Sequence, residues 1–304
     1  MKRKLPLLAV VAALLGCAAF WFLTVPETVP ASALAAHSPD IANGKEMFEA
    51  GGCASCHAVP DKPDKSALGG GLALKSPFGT FYAPNISPDR KDGIGAWSEA
   101  EFISALTKGT SPGGEHLYPA LPYTSYQRIA PNDLRDMFAY IKTLPPVAGR
   151  VRGHDLPFPF NIRRALGLWK LVFLDGKPFT PNPSQSAQWN RGAYLVNGAG
   201  HCAECHSPRD AFGGIIKGLR FTGGPAPDGQ GGVPNITQFK LKDWTVADIV
   251  GTLTDGFTPD ADRVGGSMVE VVRNISQLSD ADRRAMAVYI KSLSAVRGQT
   301  LPEK

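Results

Sequence analysis

Cysteine and histidine fall together twice in this chain, at Cys53-Ala54-Ser55-Cys56-His57 and at Cys202-Ala203-Glu204-Cys205-His206. Both stretches have the spacing C-x-x-C-H. Two thiols one helical turn apart can each add to a vinyl group of one porphyrin. The histidine that follows then lies under the iron and can offer an imidazole nitrogen as axial ligand. This is the chemistry of covalent c-type haem. Cys53, Cys56, His57, Cys202, Cys205 and His206 are therefore the candidate haem-binding residues, with His57 and His206 on the metal. Four of the five cysteines are used in this way, which leaves no pair for a structural disulfide. A zinc site needs four ligands, so the two pairs would have to share one ion or recruit further residues. A thioredoxin-like redox pair belongs in a βαβ setting, and no alternating strand–helix pattern surrounds either stretch. Neither rival accounts for a histidine after the second cysteine both times.

The far side of each iron calls for a sulfur or imidazole ligand from a later loop. Of five methionines, Met1 is the start, and Met47, Met137 and Met286 fall on apolar helix faces where core packing is the plain reading. Met268, in the loop Gly265-Gly266-Ser267-Met268, is the candidate ligand of the second haem. The matching position in the first half, 147 residues earlier, is Leu121, which has no lone pair. His116, five residues upstream of Leu121, is the candidate metal ligand there. A five-coordinate iron, or ligation by Tyr118 or His154, stands beside it. Pro84-Asn85 and Pro234-Asn235 recur at matched places, where a prolyl carbonyl could accept the second ring proton of the axial histidine; turn residues are the alternative. Arg209 is a candidate partner for a haem propionate.

The elements that must hold these groups also come in duplicate. The cysteines and histidine of the two stretches match at an offset of 149, Pro84-Asn85-Ile86 and Pro234-Asn235-Ile236 at 150, and Tyr140-Ile141-Lys142 and Tyr289-Ile290-Lys291 at 149. One module has been duplicated, and each copy reads as three helices joined by long loops. The first helix runs from an Asp40 cap to Gly51-Gly52, with a counterpart from about Gln188 to Gly198. The second opens on capping boxes, Ser98 with Glu101 and Thr245 with Asp248. The last carries Leu134, Met137, Phe138, Ile141 and Leu144 at helical spacing, and its twin opens on a box of Ser279 and Asp282. No stretch alternates with a strand's period. Pro145 to Ser186 is rich in proline and aromatics, and a short helix is expected over Ile162 to Phe173. Such apolar content suits a strap packed across both modules or a helix filling a gap in one. The expected divisions are 1–36, 37–146, 147–187 and 188–304.

Residues 1–36 open with Lys2-Arg3-Lys4 and an apolar run from Leu5 to Val25, 21 residues long. That length can cross a bilayer, with the basic flank staying cytoplasmic. A retained anchor is the favoured reading. A lipobox ending at Cys17 and a cleavage site at Ala33-Leu34-Ala35 are the rivals, and all three imply export. The net charge of +5 is mild and scattered, which excludes nucleic acid as a partner.

The segments Phe81 to Asp89, Gly93 to Ser98, His116 to Tyr126 and His201 to Arg209 resemble the cytochrome c subunits of bacterial membrane-bound dehydrogenases. The resemblance covers nearly all the chain after the apolar segment. It implies an all-α fold of two tandem class I cytochrome c-like domains, each of about three helices around a covalent haem c. It also implies an electron-transfer subunit on the periplasmic face of the inner membrane. Its partner would be a quinoprotein, flavin or molybdenum dehydrogenase, and its acceptor a quinone or terminal oxidase. Many relatives carry three haems where this chain has two motifs, and many have Met where this chain has Leu121. The alternative is a dihaem enzyme of peroxidase or thiosulfate-oxidising type, with the first haem as reaction centre.

Overall fold

The structure, a computed structural model, describes residues 4–226 and 231–299. Lys2 and Arg3 of the basic flank lie outside the described residues. Helix α1 (Lys4–Leu23) comes first. The first module follows with α2 (Ile41–Ala50), α3 (Cys53–His57), strands β1 (Ala73–Ser76) and β2 (Gly79–Tyr82), then α4 (Glu99–Ile103) extended by a wide turn to Lys108, α5 (Tyr123–Tyr126) and α6 (Pro131–Ile141). The connecting segment holds α7 (Leu166–Phe173). The second module comprises α8 (Ala187–Asn197), a single tight turn over Cys202–Glu204, two-residue strands β3 (Gly224–Pro225) and β4 (Gly232–Val233), α9 (Gln238–Leu241), α10 (Val246–Asp255), α11 (Met268–Ile275) and α12 (Asp280–Lys291).

Each module is built on one helix crossing, α2 over α6 and α8 over α12. The crossing is close because each first helix puts a glycine at the contact. A Cβ on Gly44 would lie 2.0 Å from the Asp136 carbonyl oxygen, and one on Gly192 would lie 1.9 Å from that of Ala285. The apolar stripes meet there: Met47, Phe48, Leu134, Phe138 and Ile141 in the first module, Leu195, Val196, Met286 and Ile290 in the second, all buried. Met137 and Met286 occupy matched positions in these cores, as expected for packing residues.

The capping boxes at Ser98–Glu101 and Thr245–Asp248 are complete, and Asp40 caps α2 through the Ala42 and Asn43 amides. The Ser279–Asp282 box is only half present. Ser279 accepts from the Asp282 amide, but the Asp282 carboxylate turns away to receive Arg191 at 2.8 and 2.7 Å. An ion pair across the α8–α12 crossing displaces the local cap. The expectation of no strands fails in a small way, because β1 and β2 form a four-residue antiparallel hairpin. Alternation over four residues is too short to read.

The connecting segment touches both modules. On the first, the Lys170 ammonium donates to the Lys108 and Gly109 carbonyls at 2.7 and 2.6 Å. On the second, Trp169 Nε1 donates to the Phe212 carbonyl at 2.9 Å, and Phe173 packs on Gly214. The strap expectation thus has a physical basis in residues that no local pattern links.

Helix α1 is apolar, with Leu7, Leu8, Leu14, Leu15, Trp21 and Phe22 exposed. Among the described residues no helix is long and apolar enough to cross a membrane, so the retained-anchor expectation gains no support from the fold. The end of α1 is nevertheless fixed. Thr24 is fully buried, Arg164 donates to its hydroxyl and to the Trp21 carbonyl, and Gly167 of α7 presses on it.

Candidate haem-binding sites

Each C-x-x-C-H stretch follows the C-terminus of its module's first helix. A left-handed residue makes the corner, Gly52 (φ 56°) before Cys53 and His201 (φ 36°) before Cys202. A histidine in this region is unusual. It is held by its Nδ1–H donating to the Ala199 carbonyl at 2.7 Å and by the edge of the Tyr126 ring.

The two motif histidines are set identically. His57 donates its Nδ1–H to the Pro84 carbonyl at 2.8 Å, and His206 donates to that of Pro234 at 2.8 Å. A carbonyl can only accept, so the tautomer is fixed and Nε2 keeps its lone pair free. Burial lowers the pKa of both rings, against the opposing pull of the prolyl carbonyls, and keeps them in the neutral form that binds metal. The asparagine after each proline braces the loop. Asn85 donates to the Val147 carbonyl and accepts from the Ser87 amide; Asn235 does the same with Val296 and Thr237. Behind each loop a left-handed glycine lets the backbone close in. Gly70 and Gly223 donate their amides to the His57 and His206 carbonyls at 2.8 and 2.9 Å, and a Cβ on Gly70 would stand 2.5 Å from the Pro84 oxygen. Of the two readings of Pro-Asn, the geometry favours the histidine acceptor.

None of the four motif cysteines is in a disulfide. Burial pushes Cys53 and Cys202 up to about 12, and raises Cys56 and Cys205 as well. Among the described residues no group of three or more His, Cys, Asp or Glu is placed to hold a metal ion. Two thiols and one imidazole with an unengaged Nε2, repeated twice, are the donor set that covalent haem requires. Among the described residues the buried Tyr123 hydroxyl has no hydrogen-bond partner.

The distal loops correspond closely. Thr110 bridges His116 as Phe257 bridges Arg263, and the Leu117 amide donates to Gly109 as Val264 donates to Gly256. The Leu121 amide donates to the Tyr118 carbonyl at 3.1 Å, and the Met268 amide to that of Gly265 at 3.2 Å. All three pairings keep the offset of 147. Leu121 and Met268 are therefore equivalent, each half-buried against the core.

His116 is corrected by this register. Its counterpart is Arg263, at the base of the hairpin rather than its tip. Both of its ring nitrogens are occupied: Nε2–H donates to the Thr24 carbonyl at 2.9 Å, and Nδ1 accepts from Lys170 Nζ at 2.9 Å. It clasps α1, the first module and the strap, and offers iron nothing. Arg209 spends three of its five N–H donors on the Glu204 carboxylate and on the Glu204 and Gly213 carbonyls, at 2.7 Å each.

Sequence reasoning passed over the residues inside the motifs. Ser55 Oγ accepts from Asn274 Nδ2 at 2.7 Å, across to the second module. Glu204 accepts from Ser125 and Thr124 hydroxyls at 2.6 and 2.8 Å, across to the first. Ser55 and Glu204, and Ser125 and Asn274, are paired by the same offset of 149. The contact is a reciprocal, two-fold-like handshake in which each attachment turn sits on the helix that follows the other module's distal position. Burial would raise the Glu204 pKa, but Arg209 and the two hydroxyls outweigh it and hold the carboxyl below its usual range.

Comparison with known proteins agrees with this architecture. The model of the cytochrome c family matches residues 41–145. A dihaem c-type cytochrome of Cereibacter sphaeroides is 46% identical over 298 residues, 97% of this chain and 100% of that protein. A nicotinate dehydrogenase subunit of Pseudomonas putida is 37% identical over 92% of this chain, which spans 23% of it. The fructose dehydrogenase cytochrome subunit of Gluconobacter japonicus is 38% identical over 90% of this chain, which spans 57% of it. With two matched C-x-x-C-H turns, two histidines held alike by prolyl carbonyls and similarity over 97% of its length to a dihaem relative, this chain belongs to the c-type cytochromes and is kin to the cytochrome subunits of dehydrogenases.

Proposed function

We propose that the protein carries one covalent haem c in each module. It takes electrons from a partner dehydrogenase and hands them through both haems to a quinone or terminal oxidase. The observation that carries this reading is the reciprocal handshake, Ser55 on Asn274 and Glu204 on Ser125. It puts the two attachment turns against each other's modules, where a relay needs them. Bound haem supplies a one-electron couple. The chain supplies the rest. Pro84 and Pro234 hold the axial rings as neutral tautomers and raise their basicity. The buried helix crossings keep water out of the two module cores. Glu204 keeps one compensated negative charge at the module boundary.

The export expected from residues 1–36 fits a periplasmic location. The exposed apolar sleeve of α1 suits association with the inner membrane. The similar proteins include nicotinate and fructose dehydrogenase subunits, which supports a dehydrogenase as partner; the quinoprotein, flavin or molybdenum class is what the sequence resemblance implies.

The test is capture of the full chain from detergent-treated membranes, followed by addition of dehydrogenase substrates. A co-purified dehydrogenase whose substrate reduces the haem bands supports the relay. Turnover of peroxide or thiosulfate by the isolated chain would put the enzymatic alternative in its place.

A further inference from the structure

We propose that the haem on Cys53, Cys56 and His57 keeps its sixth position open to a small neutral ligand, with Leu121 over it, while the haem of the second module is closed by Met268. The inference rests on the reading that both motifs carry haem. It starts from the equivalence of Leu121 and Met268, fixed by three matched hydrogen-bonding pairs on the two distal loops. The same fold that brings a thioether to one distal face brings an isobutyl group to the other.

The remaining donors of the first module do not make up the loss. His116 has both nitrogens engaged. His154 accepts the Tyr82 amide at Nδ1, so its proton sits on Nε2, and its ring is wedged against Phe81 and Tyr118. The Tyr118 hydroxyl donates to the Phe160 carbonyl at 3.0 Å. Met47 and Met137 are buried at the helix crossing. The position of Met137 is filled by Met286 in the module that also has Met268, so a methionine there packs and does not coordinate. The buried Tyr123 hydroxyl has no partner among the described residues, and the experiment below separates it.

The lining also sets the ligand class. An isobutyl group neither donates a hydrogen bond nor carries charge, and the Lys170 ammonium already has three acceptors. An anion such as azide would enter uncompensated, which is costly in an apolar site. A neutral diatomic that accepts electron density from ferrous iron needs no such partner, and distal polarity is what decides between these outcomes.

The experiment adds carbon monoxide to the reduced, full-length, haem-loaded protein, with haem content counted first. The expected result is two haems and one carbon monoxide per chain, with half of the haem absorption shifting. Leu121→Met should abolish uptake and double the Fe–S charge-transfer band, while His116→Gln and Tyr123→Phe leave uptake as it was. Absence of uptake by the wild type overturns the proposal. So does uptake that survives Leu121→Met, uptake that appears only in Tyr123→Phe or His116→Gln, or uptake by both haems. A count of one haem per chain would instead sink the two-haem reading, and this inference with it.

Discussion

His57 and His206 stand out as candidate iron ligands from spacing alone, because a C-x-x-C-H run carries its own chemistry. The prolines that orient them could be suspected only because they recur. His116 shows the opposite case. Its residue type and loop placement suggest iron, yet its partners Thr24 and Lys170 lie 92 and 54 residues away, and no local pattern announces them. Replacing His116 by Ala should leave both haem spectra unchanged. It should lower stability by about 1–3 kcal/mol, because the Lys170 ammonium loses a buried acceptor; denaturant unfolding followed by haem absorbance checks both. Burial, reinforced by Lys170, Arg164 and Arg163, lowers the His116 pKa below 6.5. The unfolded chain therefore binds a proton more readily than the folded one, so the clasp is fully stable above the unfolded value and weakens as pH falls through the folded value. Limited proteolysis of the strap should accelerate on acidification in the wild type, and His116→Ala should flatten that response. At Gly70, a Cβ would meet the Pro84 oxygen in a left-handed backbone. Gly70→Ala should cost about 1–3 kcal/mol and shift the potential of one haem only, by loosening the His57 acceptor.

Helices are where periodicity read best. The first helices of both modules lie within a residue or so of expectation, since apolar stripes with caps leave little choice, whereas α6 stops at Ile141, short of Leu144. What failed was short or non-local: the β1–β2 hairpin, and the Asp282 side chain drawn off its cap by Arg191. The two crossings depend on glycines whose importance appears only once the partner carbonyls are seen 2.0 and 1.9 Å from where a Cβ would stand. Gly192→Val should force α8 off α12 and destabilise the second module by about 1–3 kcal/mol or more. Thermal unfolding should then lose the Met268-linked haem signal before the other, whereas a single coincident transition would argue that the modules do not melt separately.

Across the whole molecule, duplication was plain in the sequence but the way the copies meet was not, because the contact residues are the variable positions inside and beyond the motifs. The Glu204 carboxylate lies at that boundary, paired with Arg209 and with the first module's Ser125. Glu204→Gln removes a negative charge from beside both attachment turns. Both midpoint potentials should rise, the second more than the first, as redox titration would report; potentials that stay fixed would mean that the charge is screened from the irons. Ser125→Ala with Glu204→Gln should show a coupling that neither variant shows alone.

The junction at Thr24 bears on how the molecule stands against whatever grips it. Had α1 been joined to the first module by loose chain, the body would swing freely and meet its partners by chance rotation. Instead Thr24 is sealed between Gly167 and the His116 ring nitrogen, with Arg164 lying against Trp21. A hold on α1 is therefore a handle and not a leash: it fixes azimuth and tilt together, so that the same flank of the protein always faces outward.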